Sequence, residues 1–175
     1  HYWQNVCDLD ELIKKELLSD LGAMGDETKL PKCWEKAFKL PNSQERDPSF
    51  LQVLSPFRGE IHGTDRLNTV LQKLLNNFWA DKYTLDTITL FDKVIQFVNR
   101  PKSNPIFAYN WNTRKNEPIE VFNGDMGFAY PHGFDTKKFH YMNRLEHFSV
   151  KFKGKENYSI GYGGKLGKTN KGWYI

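Results

Sequence analysis

The residues of this 175-residue chain that could do chemistry are one loop arginine and a set of lysines interleaved with aromatic rings. Arg58 sits in a polar loop just after an apolar run. A guanidinium is always charged and presents a fork of N–H donors that can meet an oxyanion. The alternative is a surface salt bridge. Lys151, Lys153 and Lys155 alternate with Val150, Phe152 and Gly154, a period of two that puts the lysines on one face of a predicted strand, available to phosphates. Lys93 opens another predicted strand. Trp111, with Tyr109 and Tyr130, offers π-faces on which bases could stack; packing inside a core is the alternative for each ring. Lys93, Trp111, Lys151, Lys153 and Lys155 are therefore the candidate nucleic-acid contacts.

Acid–base and metal chemistry find less support. Asp86, Asp92, Glu120, Asp125 and His132 would be the raw material of a metal-dependent nuclease, but no paired carboxylates with a lysine at a telling spacing single out a site. His132, His140 and His147 lack the helical spacing of zinc ligands. Cys7 and Cys33 stand in no CxxC pattern, so no metal is expected; they read as reduced thiols, which implies a cytoplasmic protein.

Charge favours a polyanionic partner. The net charge is +4, yet residues 137–175 hold nine Lys and Arg against Glu146 and Glu156, leaving +7 there and −3 on the rest. A solvated basic surface would show the same composition. With 39% hydrophobic residues the chain can bury a core, which argues against wholesale disorder. No apolar run reaches the roughly 18 residues of a membrane helix, so no membrane partner is expected. The first residue is His1, which suggests a piece of something longer.

These residues need elements to position them. Asp8 can cap a helix over 8–21, with Leu9, Leu12, Ile13, Leu17 and Leu21 on its apolar face and Gly22 ending it. A short helix should follow Pro31 and bury Trp34. Phe50–Leu54 reads as a strand buried on both faces, as in a parallel sheet, and Thr64 as the cap of a helix running to Phe78. Beyond residue 84 the texture turns to short β-rich runs at 93–98, 106–111, 119–122, 126–130, 147–152 and 158–162, with a hairpin turn at Asn123-Gly124. The fold class is α+β: a mostly helical α/β unit over 1–84, a small β-barrel over 85–166, and a tail over 167–175.

Two stretches resemble a known family. Leu51-Gln-Val-Leu-Ser-Pro-Phe-Arg-Gly-Glu60, continuing through Gly63-Thr64 to Leu67-Asn68 and Leu71-Gln72, resembles the strand-loop-helix around motif IV in the second motor domain of superfamily 1 RecD-like DNA helicases. Phe91-Asp-Lys-Val-Ile-Gln96 and Val121-Phe-Asn-Gly-Asp-Met-Gly127 resemble the opening strand and the hairpin of the SH3-like barrel inserted in that domain. The likeness spans about residues 45–165. It implies a fragment of an ATP-dependent helicase of the exodeoxyribonuclease V alpha type, with ATP and Mg in the parent protein and Arg58 reaching the ATP phosphates. Single-stranded DNA and the remaining helicase domains are the implied partners, with self-association through an open sheet edge.

A complete motor also needs a Walker A loop and a Walker B carboxylate, and neither is present. Gly161-Tyr-Gly-Gly-Lys-Leu-Gly-Lys-Thr169 imitates the first, but the glycine required five residues before Gly167 is Tyr162. The fragment should therefore bind no cofactor and be inactive alone. A non-catalytic protein-interaction barrel is the alternative reading.

Overall fold

The computed structural model describes residues 4–37, 47–80, 83–85, 87–131, 147–163 and 173–174. The chain divides between Asn77 and Phe78 into two units. The boundary inferred from sequence texture lies at 84/85.

The first unit is helical. Helix α1 (Val6–Asp20) is capped by Asn5, whose Oδ1 accepts the Asp8 N–H at 3.0 Å. Asp8, expected as the cap, instead sits one turn in, and its carboxylate reaches back to the Gln4 N–H at 3.1 Å. The pair works as a variant of a capping box shifted by three residues. A 3-10 turn (Glu27–Lys29), helix α2 (Leu30–Ala37) and helix α3 (Thr64–Leu75) follow, α3 being capped by Gly63 rather than Thr64. Their core joins Leu17, Leu21, Ala23, Leu30 and Leu75, all buried, with Trp34 and Leu51 packed against it. Arg66 of α3 bridges to Asp10 of α1 at 2.5 Å.

The strand expected at 50–54 is absent. Residues 51–54 have no regular structure, and Phe50, Val53 and Leu54 are exposed by 54%, 44% and 87%. Only Leu51 reaches the helical core. An apolar run has the propensity for a strand but needs a neighbour for its backbone N–H and C=O groups, and no described strand of this unit supplies one.

A short helix α4 (Asn77–Ala80) leads into the β unit. Strands β1 (Thr84–Leu85) and β2 (Ile88–Thr89) form a hairpin. Then come β3 (Lys93–Gln96), β4 (Ile106–Asn110), β5 (Lys115–Ile119), β6 (Met126–Pro131), β7 (His147–Phe152), β8 (Tyr158–Gly163) and β9 (Trp173–Tyr174). They make a sheet of order β5-β4-β8-β7-β6-β3-β9, antiparallel at every pairing. The fold is thus α+β, with no parallel strands among the described residues. The ladders do not close into a barrel there, and β5 and β9 are the sheet edges. An isolated antiparallel bridge, Arg100 to Val121, joins the segment after β3 to the segment after β5.

Leu90, Val121, Phe148, Val150 and Ile160 are fully buried at the centre of this unit. Gly127 makes the β6–β7 pairing possible. A Cβ on it would lie 2.2 Å from the Lys151 carbonyl oxygen, so only glycine allows the strands this approach. The Asn123-Gly124 turn is present, with Gly124 at φ +97°, but it does not make a hairpin. It joins β5 to β6, which pair with other strands, and the Gly124 N–H goes to the Gln96 carbonyl at 2.9 Å. Strand β3 is interior to the sheet. It lies between β6 and β9, and Asp92 is buried at 4% exposure, where its carboxylate accepts the Thr89 N–H at 2.7 Å and clamps the preceding turn.

Candidate nucleic-acid interface

Strand β4 and its turn read Phe107-Ala-Tyr-Asn-Trp111. Alternation along a strand puts the three rings on one face and Ala108 and Asn110 on the other. Aromatic rings would ordinarily take the buried face. Here Ala108 and Asn110 are buried, at 1% and 7% exposure, while Phe107 is exposed by 68% and Trp111 by 39%. Asn110 accounts for the inversion. Its Oδ1 accepts the Asn112 N–H at 2.9 Å, and its Nδ2 donates to Glu117 at 2.8 Å, so the buried amide shapes the β4–β5 turn. Glu117 also accepts hydrogen bonds from Thr113 and from Tyr158, the latter at 3.3 Å. Those donors, the Thr113 hydroxyl foremost and the Asn110 amide next, hold its carboxyl below the usual glutamate range against the opposing effect of burial.

Outside, the rings have small or compact neighbours. Phe107 is opposite Pro118, and Tyr109 lies between Asn116 and Ser159. Tyr109 and Trp111 meet edge to face with centroids 4.9 Å apart.

The sheet register connects this row to the predicted lysines. Val150 pairs with Ile160, and one step further along the same register Lys151 stands opposite Ser159. Lys151 pairs with Phe128, and Phe128 with Lys93. Tyr109, Ser159, Lys151, Phe128 and Lys93 therefore form one cross-strand row on a single face of the sheet, and Phe128, between the two lysines, is buried at 2% exposure, so the face is covered at that point. At about 4.8 Å per strand, Tyr109 to Lys151 and Lys151 to Lys93 are each about 10 Å along it. Both lysines are half-buried, and the Lys151 ammonium lies 5.3 Å from the centroid of the Tyr130 ring. Tyr130 in turn packs edge-on against Phe91, which also touches Trp79.

Lys153 and Lys155 fall elsewhere. Strand β7 ends at Phe152, so the alternation expected through residue 155 breaks at the turn. Lys153 is exposed there, its N–H held by the Met126 carbonyl at 2.8 Å. Lys155 pairs with Asp125 at 2.7 Å and ties the β7–β8 turn to the turn before β6. Arg58 belongs to the helical unit, with Nε 3.3 Å from the Asp65 carboxylate and its side chain 67% exposed. The structure thus brings Lys93, Lys151 and Trp111 to one sheet face, with Tyr109, and not the other candidates. Phe107 was missed as a candidate. The Phe-Ala-Tyr-Asn-Trp alternation carried the signal, but nothing in it says which face is outside.

The β unit carries 15 Lys and Arg against 9 Asp and Glu, a net of +6, and the helical unit 10 against 12, a net of −2. Among the described residues no three His, Cys, Asp or Glu side chains are grouped to hold a metal; Asp86, His132 and His140 of the nuclease and zinc readings lie outside those residues. No described helix is long and apolar enough to cross a membrane. Compared with models of protein families, with curated proteins and with solved structures, the chain matches none.

Proposed function

We propose that this chain is part of an ATP-dependent DNA helicase of the superfamily 1 RecD-like type, in which the β unit is an SH3-like barrel that contributes to holding single-stranded DNA during translocation. The observation that carries the reading is the shared sheet face of Tyr109, Lys151 and Lys93 on a unit of net charge +6. Rings there would meet bases and ammonium groups would meet phosphates. The Arg100–Val121 bridge supports a sheet that curls towards closure, as such a barrel requires. The exposed run of Phe50, Val53 and Leu54 supports a motor-domain strand whose neighbours come from the remaining helicase domains.

A nucleotide site does not fit these residues by themselves. The sequence has neither Walker motif, and Arg58, whose Nε lies 3.3 Å from the Asp65 carboxylate, is the one phosphate contact the family resemblance implies here. Nucleotide and Mg belong to the parent protein in this reading, and no ATP turnover is expected here. The test is fluorescence polarisation with a labelled single-stranded oligonucleotide at low and moderate salt, beside an ATPase assay. Salt-sensitive binding without turnover supports the reading; no binding even at low salt removes it.

A groove of the β unit favours a second reading, a protein-interaction module. It is an open groove of about 530 Å³ in which Pro105, Pro118, Ile119, Phe122 and Tyr158 lie beside three charged residues, Lys102, Glu120 and Lys155. A groove of this kind suits an extended peptide. This reading predicts little salt-dependent affinity for DNA.

A further inference from the structure

We propose that Phe107, Tyr109 and Trp111 form a three-ring platform on which successive unpaired bases of single-stranded nucleic acid stack, independent of base sequence. The inference rests on the DNA-binding reading above and assigns the base-contacting part of that surface to one strand. Three observations carry it. The rings follow one another at every second residue from Phe107 on β4 to Trp111 in the turn after it, an advance of about 6.7 Å per step along the backbone. Tyr109 and Trp111 meet edge to face at 4.9 Å, so that pair and Phe107 offer adjacent aromatic surfaces to an extended, unstacked strand. Phe107, the most exposed of them at 68%, is opposite Pro118 on β5, and the β4–β8 pairing ends before it at Tyr109. Tyr109 is flanked by Asn116 and Ser159. No bulky neighbour in the ladder therefore walls off the row, and a planar base can lie against it.

The third observation concerns charge and selects the occupant. A partner that docked by apolar contact alone would have no use for Lys151 about 10 Å from Tyr109 on the same face, with Lys93 beyond the buried Phe128. That is the order a strand of nucleic acid would require, with bases over the rings and the backbone tracking toward the ammonium groups. Stacking uses the π-face that every base has, so the platform reads no sequence.

The experiment measures the affinity of the chain for three single-stranded oligonucleotides of equal length: a dT homopolymer, a mixed sequence, and one carrying consecutive abasic sites. The variants are Phe107→Ala, Trp111→Ala and the conservative Phe107→Tyr. All alter side chains that are exposed, so the fold should persist. The platform predicts similar affinity for the homopolymer and the mixed sequence, and weaker binding of the abasic strand. Each alanine variant should lose roughly 5- to 150-fold, the range for one stacked base. Phe107→Tyr should retain most of the affinity. If the wild-type chain binds the abasic strand as well as the others, and both alanine variants match it, the platform is overturned while phosphate-driven DNA binding stands. If the wild-type chain binds none of the strands at low salt, both readings fall. Concentration-dependent self-association that Phe107→Ala abolishes, with DNA affinity unchanged, would make this face an interface between copies and overturn the platform.

Discussion

Replacing Gly127 by alanine should weaken the β unit far more than the gain of one methyl group suggests. The added Cβ would lie 2.2 Å from the Lys151 carbonyl oxygen, 2.8 Å from its carbonyl carbon and 3.0 Å from the Phe152 Cα. Ordinary contact begins near 3.4 Å, so strands β6 and β7 must separate by about 1 Å where they pair most closely. The clashing atoms are backbone, and no rotamer change can relieve them. Phe148, Val150 and Phe152, which β7 contributes to the core, would move with it. Overpacking of this kind costs about 1–3 kcal/mol, and the absence of side-chain relief points to the upper end. For a unit of this size about 3 kcal/mol corresponds to a fall of roughly 12–24 °C in Tm. Thermal unfolding followed by near-ultraviolet circular dichroism would measure it. Gly59→Ala is the control, since its Cβ meets nothing within 4 Å, and it should change stability by less than about 0.5 kcal/mol. A Gly127→Ala Tm within about 2 °C of wild type would show that the β6–β7 approach is not as described, and with it the register that places Lys151.

Other perturbations test other parts of the account. The Glu117 carboxyl is held below its usual value of 4.5 by Thr113 and Asn110, so its contribution is full above that value and disappears as pH falls beneath it. Glu117→Gln should therefore flatten the acid limb of the stability profile, and an unchanged limb would remove this role. Tyr162 titrates above its usual 10.0 because burial disfavours the phenolate, with the Arg100 charge acting the other way. Its contribution is full below about pH 10 and is lost as pH rises beyond it, so Tyr162→Phe should be less sensitive to alkaline unfolding. In the helical unit, Arg66→Ala should cost about 1 kcal/mol in denaturant unfolding, since both partners of the Arg66–Asp10 bridge are about a third exposed. A loss near zero would show that the bridge does not hold α1 to α3.

Much of the β unit was legible because period-two patterning and turn residues are local signals. The runs at 106–111, 126–130, 147–152 and 158–162 coincide with β4, β6, β7 and β8 to within a residue. The run at 119–122 was displaced, because β5 occupies Lys115–Ile119, a polar stretch with Pro118 that patterning does not favour. Pro118 is tolerated because β5 is an edge strand. What local signals cannot carry is partnership. Asn123-Gly124 announced a tight turn correctly, but which strands it joins depends on pairings across the sheet. The 50–54 run announced a strand without saying whether a neighbour exists. Nor does alternation along β4 say which face is outside, since the buried amide of Asn110 and its carboxylate partner Glu117 reverse the usual rule that rings go inside. Lys93 and Lys151, 58 residues apart, become neighbours on one face only through the register of β3, β6 and β7.

The central claim is that Lys93 and Lys151 share a DNA-facing sheet surface, and the salt dependence of single-stranded DNA binding tests it most directly. For single strands the slope of log affinity against log salt falls by about 0.7 for each phosphate contact removed. Lys151→Ala and Lys93→Ala should each reduce the slope by about that amount, and the double variant by about 1.4. Slopes equal to the wild-type value in all three variants would contradict the account.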